Sequence, residues 1–168
     1  MKILQVMAGA EQGGAETAFE DTVLALHDAG IQQHVVVREN NPDRIEKIKA
    51  AGIPVNTLPF GGALDVYTPW KIRRIISTCK PDIVQTWMSR ASQKTPRCTG
   101  VINIARLGGY YNLKYYKTSD YFIANTPDIK RYLMEEGVAE DKVIHINNFA
   151  PIENPSPDIN RAELGVPE

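Results

Sequence analysis

Cysteine is scarce in this chain, with Cys79 and Cys98 the only two among 168 residues. That excludes a disulfide framework, and because the pair is not C-x-x-C it excludes a thioredoxin-like redox motif too. The two thiols are read as reduced, in a cytoplasmic setting. His27, His34 and His145 are scattered and have no clustered partners, so no metal site is expected. Net charge is also lacking: 19 Lys plus Arg against 20 Asp plus Glu leave a formal charge of -1. No global field draws the chain to nucleic acid or to an anionic surface, so any bound anion must be held locally. No segment approaches the roughly 20 apolar residues of a membrane span. The opening "MKILQVMAGAEQGG" is interrupted by Gln5 and is too weak for a secretory signal. What the chain does have is a hydrophobic content of 43%, enough for one domain with a substantial core.

Short apolar runs alternate with helical patterns along the chain. "KILQVM", "HVVVR", "IPVNTL", "DIVQTW", "VINIAR", "YFIAN" and "VIHIN" read as strands. Between them "GAETAFEDTVLALHDAG", "PDRIEKIKAAG", "YTPWKIRRIISTCK", a short "SRASQKT" and "TPDIKRYLMEEG" read as helices, most closing on Gly or Lys. Strands separated by crossover helices imply a doubly wound, mostly parallel sheet covered on both faces, a Rossmann-like α/β domain. Ligands in such sheets collect beyond the carboxyl ends of the strands, at the switch point.

After the first strand, three of six positions are glycine: Gly9, Gly13 and Gly14. Gly13 and Gly14 stand where the loop becomes a helix, whose free N–H groups and dipole favour a phosphate or carboxylate. Glu16 in the first turn competes for that field, unless it bonds a sugar hydroxyl or caps the helix. A tight strand-to-helix turn is the other reading of the pair. The dinucleotide fingerprint G-x-G-x-x-G is missing, Arg38 and Glu39 are poor substitutes for its ribose-holding acid, and no Gly-Lys-Ser/Thr marks a Walker A loop. A nicotinamide-dependent oxidoreductase is therefore disfavoured.

"GGAE", "DIVQTWMSRAS", "DYFIANTPDIKRYLMEEGVAEDKVIHINNFAP" and "RAELGVPE", in that order, resemble the amino-terminal half of a GT-B glycosyltransferase of family 4. The resemblance runs over nearly the whole chain. Its most characteristic part is the last long stretch, where "INNFAP" replaces the family's "P-N-G-v-D" phrase. "QTWMSRAS" and "ARLGGYYNLKYYK" are similar to the bacterial branch that builds lipopolysaccharide or other surface glycans.

The resemblance implies a metal-independent retaining transferase that moves a sugar from a nucleotide-sugar donor to a glycan or lipid-linked acceptor. No cofactor and no nucleic-acid partner are expected. Residues 1–150 would form the acceptor-side domain. Residues 151–168, with the proline-rich "APIENPSPDIN", would be a linker and the start of a missing donor-binding domain. Consistent with a missing half, no two glutamates stand eight positions apart, as they do in the family's second domain. Half an enzyme of this kind is expected to fold but not to turn over substrate. The rival reading is a non-catalytic nucleotide- or sugar-phosphate-binding module.

Carried over by position, Gly13 and Gly14 would contact the donor diphosphate, with Glu16 beside them. Where many members place a catalytic His, this chain has "ARLGGYY", so Arg106 takes that region. Arginine cannot act as a base, but its planar fork can hold a phosphate or carboxylate, and Gly108 and Gly109 would open space for it. An Arg106 paired to a local acid is the alternative. Trp87, Ser89, Arg90, Tyr110, Asn125 and Thr126 are further acceptor-cleft candidates. Against that, Trp87 at a strand end also reads as core, and Arg90 as a helix-surface charge. Tyr110, Tyr111, Tyr115 and Tyr116, interleaved with Lys114 and Lys117, fit a membrane interface, a glycan grip or ordinary packing. The expected location is cytoplasmic, with room for peripheral contact at the inner membrane. Lys71, Arg73, Arg74 and Lys80 read as a solvated helix face.

Overall fold

The computed structural model describes residues 1–149; the expected linker and second-domain start at 151–168 lie outside them. Seven strands form one sheet: β1 (Lys2–Met7), β2 (Gln32–Arg38), β3 (Val55–Leu58), β4 (Ile83–Trp87), β5 (Ile102–Leu107), β6 (Tyr121–Ala124) and β7 (Val143–His145). Their order is β3-β2-β1-β4-β5-β6-β7, and every pairing is parallel. All seven runs read as strands from the sequence are strands. The five helical patterns are α1 (Gly14–Asp28), α2 (Pro42–Ala50), α3 (Tyr67–Cys79), α4 (Met88–Lys94) and α5 (Pro127–Glu135). Two short 3-10 turns, Leu113–Tyr115 and Glu140–Lys142, have no counterpart in that reading.

Alternation along the strands sorts side chains onto the two faces. Leu4, Val6, Val36 and Val84 pack with Ile72, Ile75 and Ile76 of α3. On the opposite face Met7, Val35, Val37 and Trp87 pack with Phe19 and Val23 of α1 and with Ile45 and Ile48 of α2. A third cluster joins Ala105, Leu107, Phe122 and Val143 to Ile129 and Leu133 of α5. Each fully buried large apolar side chain contributes about 1.5–3 kcal/mol, so the helices are held chiefly by these faces.

Two helices begin on matched caps. The Asn41 side chain accepts from Arg44 N–H at 2.8 Å with Pro42 next, and Thr126 Oγ1 accepts from Ile129 N–H at 3.1 Å with Pro127 next. Proline suits the first helical position because its missing N–H is an orphan there anyway. The start of α1 is different: Gly13 stands at the cap and no side chain caps it. The chain winds outward from β1 in both directions, so the order reverses between β1 and β4. The loops after those strands flank the switch point.

Candidate functional site

A cleft of about 240 Å³ opens at that switch point. Gly14 at the start of α1, Trp87 and Met88 at the end of β4, Arg106 of β5, Asn125 after β6 and Asn148 line it, with Gly108 at its rim. Four successive strand ends thus converge on one opening.

The glycine loop is organised around a buried carboxylate. Glu16 is 3% exposed, and its Oε1 accepts from the Ala10 N–H at 2.7 Å. A Cβ at Gly9 would fall 2.3 Å from Glu16 Oε1, and one at Gly13 would fall 2.5 Å from Glu16 Oε2. Both glycines are therefore required by the carboxylate clasped between them. Gly14 has nothing within 4 Å of its would-be Cβ: it is the glycine that faces open space, at an uncapped helix end. From the other side the loop is held by Asn40 Nδ2 on Gly9 O at 3.0 Å and by Asn41 Nδ2 on Glu11 O at 2.7 Å. No side chain caps the first N–H groups of α1, and the Glu16 carboxylate, buried beside the cap residue Gly13, shares the field they create.

Arg106 supplies the cleft's positive charge. It is 6% exposed, and among the described residues it forms no ion pair with a carboxylate. Among the described residues the alternative of a local acidic partner is not met. Its Nη2 donates to Ile146 O and Asn147 O at 3.2 Å each and to Asn148 Oδ1 at 3.0 Å. Its guanidinium carbon lies 5.0 Å from the centre of the Trp87 ring. Burial lowers the Arg106 pKa from the ordinary arginine value. A desolvated cation whose described partners are all neutral is costly to keep unless an anion joins it.

Trp87 is buried at the end of β4, as its reading as core expects. It is core, standing edge-on to Phe19 with ring centres 5.4 Å apart, and it also floors the cleft beneath Arg106. Its Nε1 donates to Gln5 Oε1 at 3.0 Å, Gln5 Nε2 donates to Gln33 Oε1 at 3.2 Å, and Gln33 Nε2 donates to Val23 O at 2.7 Å. This buried chain of amides runs from α1 across β2 and β1 to β4.

Other expected residues are placed less centrally. Gly108 lines the cleft, and a Cβ there would sit 3.4 Å from Asn125 Nδ2. Asn125 lines it too, and its Oδ1 is buried without a hydrogen-bond partner among the described residues. Gly109 packs against Tyr111, and Thr126 spends its hydroxyl capping α5. The exposed Tyr110 donates to Asp128 and stands edge-on to Tyr132. Ser89 is half-buried and Arg90 exposed on α4, and neither lines the cleft. Tyr116 is buried against Tyr111 and Phe122, which settles that part of the tyrosine stretch as packing.

Met88 and Asn148 are site residues that the sequence reading missed. Met88 has a φ of 66°, a left-handed conformation that is uncommon for methionine. Its carbonyl accepts from Ser92 Oγ at 3.1 Å, and Ser92 Oγ in turn bonds Thr86 Oγ1 at 2.7 Å. Strain of this kind at a strand-to-helix junction clusters at functional sites. Nothing in the identity of Met88 signals it. Asn148 lies in the "INNFAP" stretch singled out from the sequence, but its contact with Arg106 needs the fold.

Comparison with known proteins agrees with this geometry. The chain belongs to Glycosyltransferase Family 4, whose family model matches residues 12–154. It is 30% identical over 168 residues to the lipopolysaccharide core biosynthesis glycosyltransferase LpsD of Rhizobium meliloti, covering 99% of this chain and 48% of that protein. It is also 30% identical over 150 residues to LpsE of the same organism, covering 89% and 44%. The chain spans about half the length of these relatives. Among solved structures, HepE of Anabaena in complex with UDP aligns at TM-score 0.70 and 19% identity, over 98% of this chain and 50% of that one. The apo lipopolysaccharide outer core galactosyltransferase WaaB aligns at 0.65 and 15%, over 92% and 47%. At these identities the structures show a shared fold, half of a GT-B architecture.

Among the described residues no helix is long and apolar enough to cross a membrane, and no group of His, Cys, Asp and Glu is arranged to hold a metal.

Proposed function

We propose that this chain is the acceptor-side half of a retaining, nucleotide-sugar-dependent glycosyltransferase of cell-envelope glycan synthesis. The observation that carries the reading is Arg106, a buried cation without an acidic partner among the described residues, facing an uncapped helix start across a cleft at the switch point. The named activities of LpsD and LpsE, and the UDP held by HepE, support a nucleotide-sugar donor and a lipopolysaccharide-like acceptor.

In this reading the α1 N-terminus, approached over Gly14, and the Arg106 guanidinium face the donor diphosphate or an anionic group of the acceptor. As the bond from the sugar's anomeric carbon to the diphosphate oxygen breaks, negative charge grows on the leaving group. Fixed N–H donors and a desolvated cation stabilise that charge without reorganising. The unpartnered Asn125 Oδ1 is placed to accept from a sugar hydroxyl, and Trp87 holds the guanidinium plane. Arg106 is the only charged group among the described lining residues. This half therefore binds and stabilises charge, and a proton acceptor for the attacking hydroxyl must come from elsewhere in the complex. Residues 151–168 would lead into the donor-binding domain.

The test is a donor panel assayed with the full-length protein. Turnover of one nucleotide sugar, with the product keeping its anomeric configuration, is the expected result. Saturable nucleotide binding without turnover of any donor would replace the transferase with a binding module.

A further inference from the structure

The turn that follows β3 carries the two most exposed large apolar side chains among the described residues. Leu64 is 94% exposed and Val66 79%, and Tyr67 and Trp70 are each about half exposed. This turn is held firmly. The buried Lys94 Nζ donates to Gly62 O at 2.7 Å and to Asp65 O at 2.8 Å. The Asp65 carboxylate accepts from Gly61 N–H at 2.8 Å and from Thr68 N–H at 2.9 Å. Leu64 and Val66 are therefore presented outward by a braced loop.

The helix that follows continues the surface. Thr68, Ile72, Ile75 and Ile76 face the core, which leaves Tyr67, Trp70, Arg73 and Arg74 on the outer stripe with the half-buried Lys71 at its flank. Tyr67 and Trp70 have ring centres 5.9 Å apart, and the Arg74 guanidinium sits 5.3 Å from the Trp70 ring. Between Val66 and Pro81 the chain has four cations, Lys71, Arg73, Arg74 and Lys80, and no acidic residue. The nearest acid, Asp65, forms an ion pair with Lys94 at 3.9 Å. In a chain whose net charge is -1, this is a strong local asymmetry.

The geometry points to a docking surface for an anionic lipid membrane, formed by the Leu64–Val66 turn and the outer stripe of α3. Two exposed aliphatic side chains suit the acyl boundary, Tyr67 and Trp70 suit the headgroup level, and the basic residues behind them suit anionic headgroups. Because the turn leaves the carboxyl end of β3, it lies on the same edge of the sheet as the cleft. The inference rests on the transferase reading only for its purpose, bringing the cleft to an acceptor held in the membrane. The tyrosine and lysine stretch from Tyr110 to Lys117, the earlier candidate for such contact, spends Tyr111 and Tyr116 on packing.

The test is sedimentation of the full-length protein with vesicles of phosphatidylcholine alone or of phosphatidylcholine mixed with phosphatidylglycerol. Binding to the mixed vesicles only, weakening as salt is raised, is expected. Arg73→Glu with Arg74→Glu should weaken it by more than the roughly fivefold expected for each basic side chain at an anionic surface. Leu64→Ser with Val66→Ser should weaken it at least tenfold. These side chains are exposed, so the variants should melt like the parent, which circular dichroism would check. Equal binding to both vesicle types, no binding by the full-length protein, or aliphatic variants that bind like the parent would each overturn the proposal. So would a Leu64→Ser, Val66→Ser protein that changes only its self-association. Turnover with a soluble acceptor is followed in the same variants and should be unchanged, so loss of the transferase reading would be seen separately from loss of membrane binding.

Discussion

The Arg106 guanidinium lies 5.0 Å from the centre of the Trp87 ring, and neither side chain has a carboxylate beside it among the described residues. A cation on an indole face, with backbone carbonyls and one amide as its other partners, keeps its full charge available to whatever enters the cleft. The predictions below follow from how that pair and the neighbouring glycine loop are built.

Gly13 and Gly14 should separate stability from ligand approach. Gly13→Ala would press a methyl group onto Glu16 and should lower stability by about 1–3 kcal/mol in urea titrations. Gly14→Ala projects into open space and should stay within about 0.5 kcal/mol of the parent. Gly14→Trp should fold and lose donor turnover. In a double-mutant cycle, Gly13→Ala and Glu16→Ala should cost less together than the sum of their separate effects. Strict additivity would contradict the clasp.

The amide chain from Gln33 through Gln5 to Trp87 should behave as one unit. Gln5→Leu strands the indole N–H and should destabilise the domain by about 1–3 kcal/mol. Gln33→Leu should add little on top of it. A Gln5→Leu protein as stable as the parent would show that the buried bonds are idle.

Tyr116 carries a buried hydroxyl with no partner among the described residues. Removing it in Tyr116→Phe should raise stability by about 1 kcal/mol. Burial, with smaller contributions from Tyr111 and Tyr132, pushes its pKa well above the ordinary tyrosine value. The unfolded chain therefore releases this proton at lower pH than the folded one. Stability from this position is complete below the ordinary tyrosine range and declines as pH rises through it. Denaturant midpoints across the alkaline range should fall more steeply in the parent than in Tyr116→Phe; parallel curves would refute the assignment. Burial of the Cys79 thiol acts in the same direction.

The sheet was legible because period-two apolar runs broken by capped helices leave few other topologies for a chain of this length. The glycine loop and Arg106 were legible as candidates because the loop follows β1 and Arg106 lies near the carboxyl end of β5. What remained hidden depends on contacts distant in sequence. Glu16 reads as a first-turn acid that competes with an anion, bonds a sugar hydroxyl or caps the helix until Gly9, Ala10 and Gly13 are seen wrapped around it. Met88 carries no mark of its left-handed backbone, because the Thr86 and Ser92 hydroxyls behind it support that turn. The basic residues of α3 read as an ordinary wet face, and only the exposure of Leu64 and Val66 beside them gives the surface a direction.

The central claim is that Arg106 stabilises charge in the reaction instead of merely fastening the segment after β7. The measurement is transfer kinetics of the full-length protein carrying Arg106→Gln, with its melting temperature recorded alongside. The account expects kcat/KM to fall about a hundredfold, the scale of losing one preorganised donor to a developing anion, while the fold melts near the parent temperature. Full activity in a folded Arg106→Gln protein, or a loss matched entirely by unfolding, would contradict it.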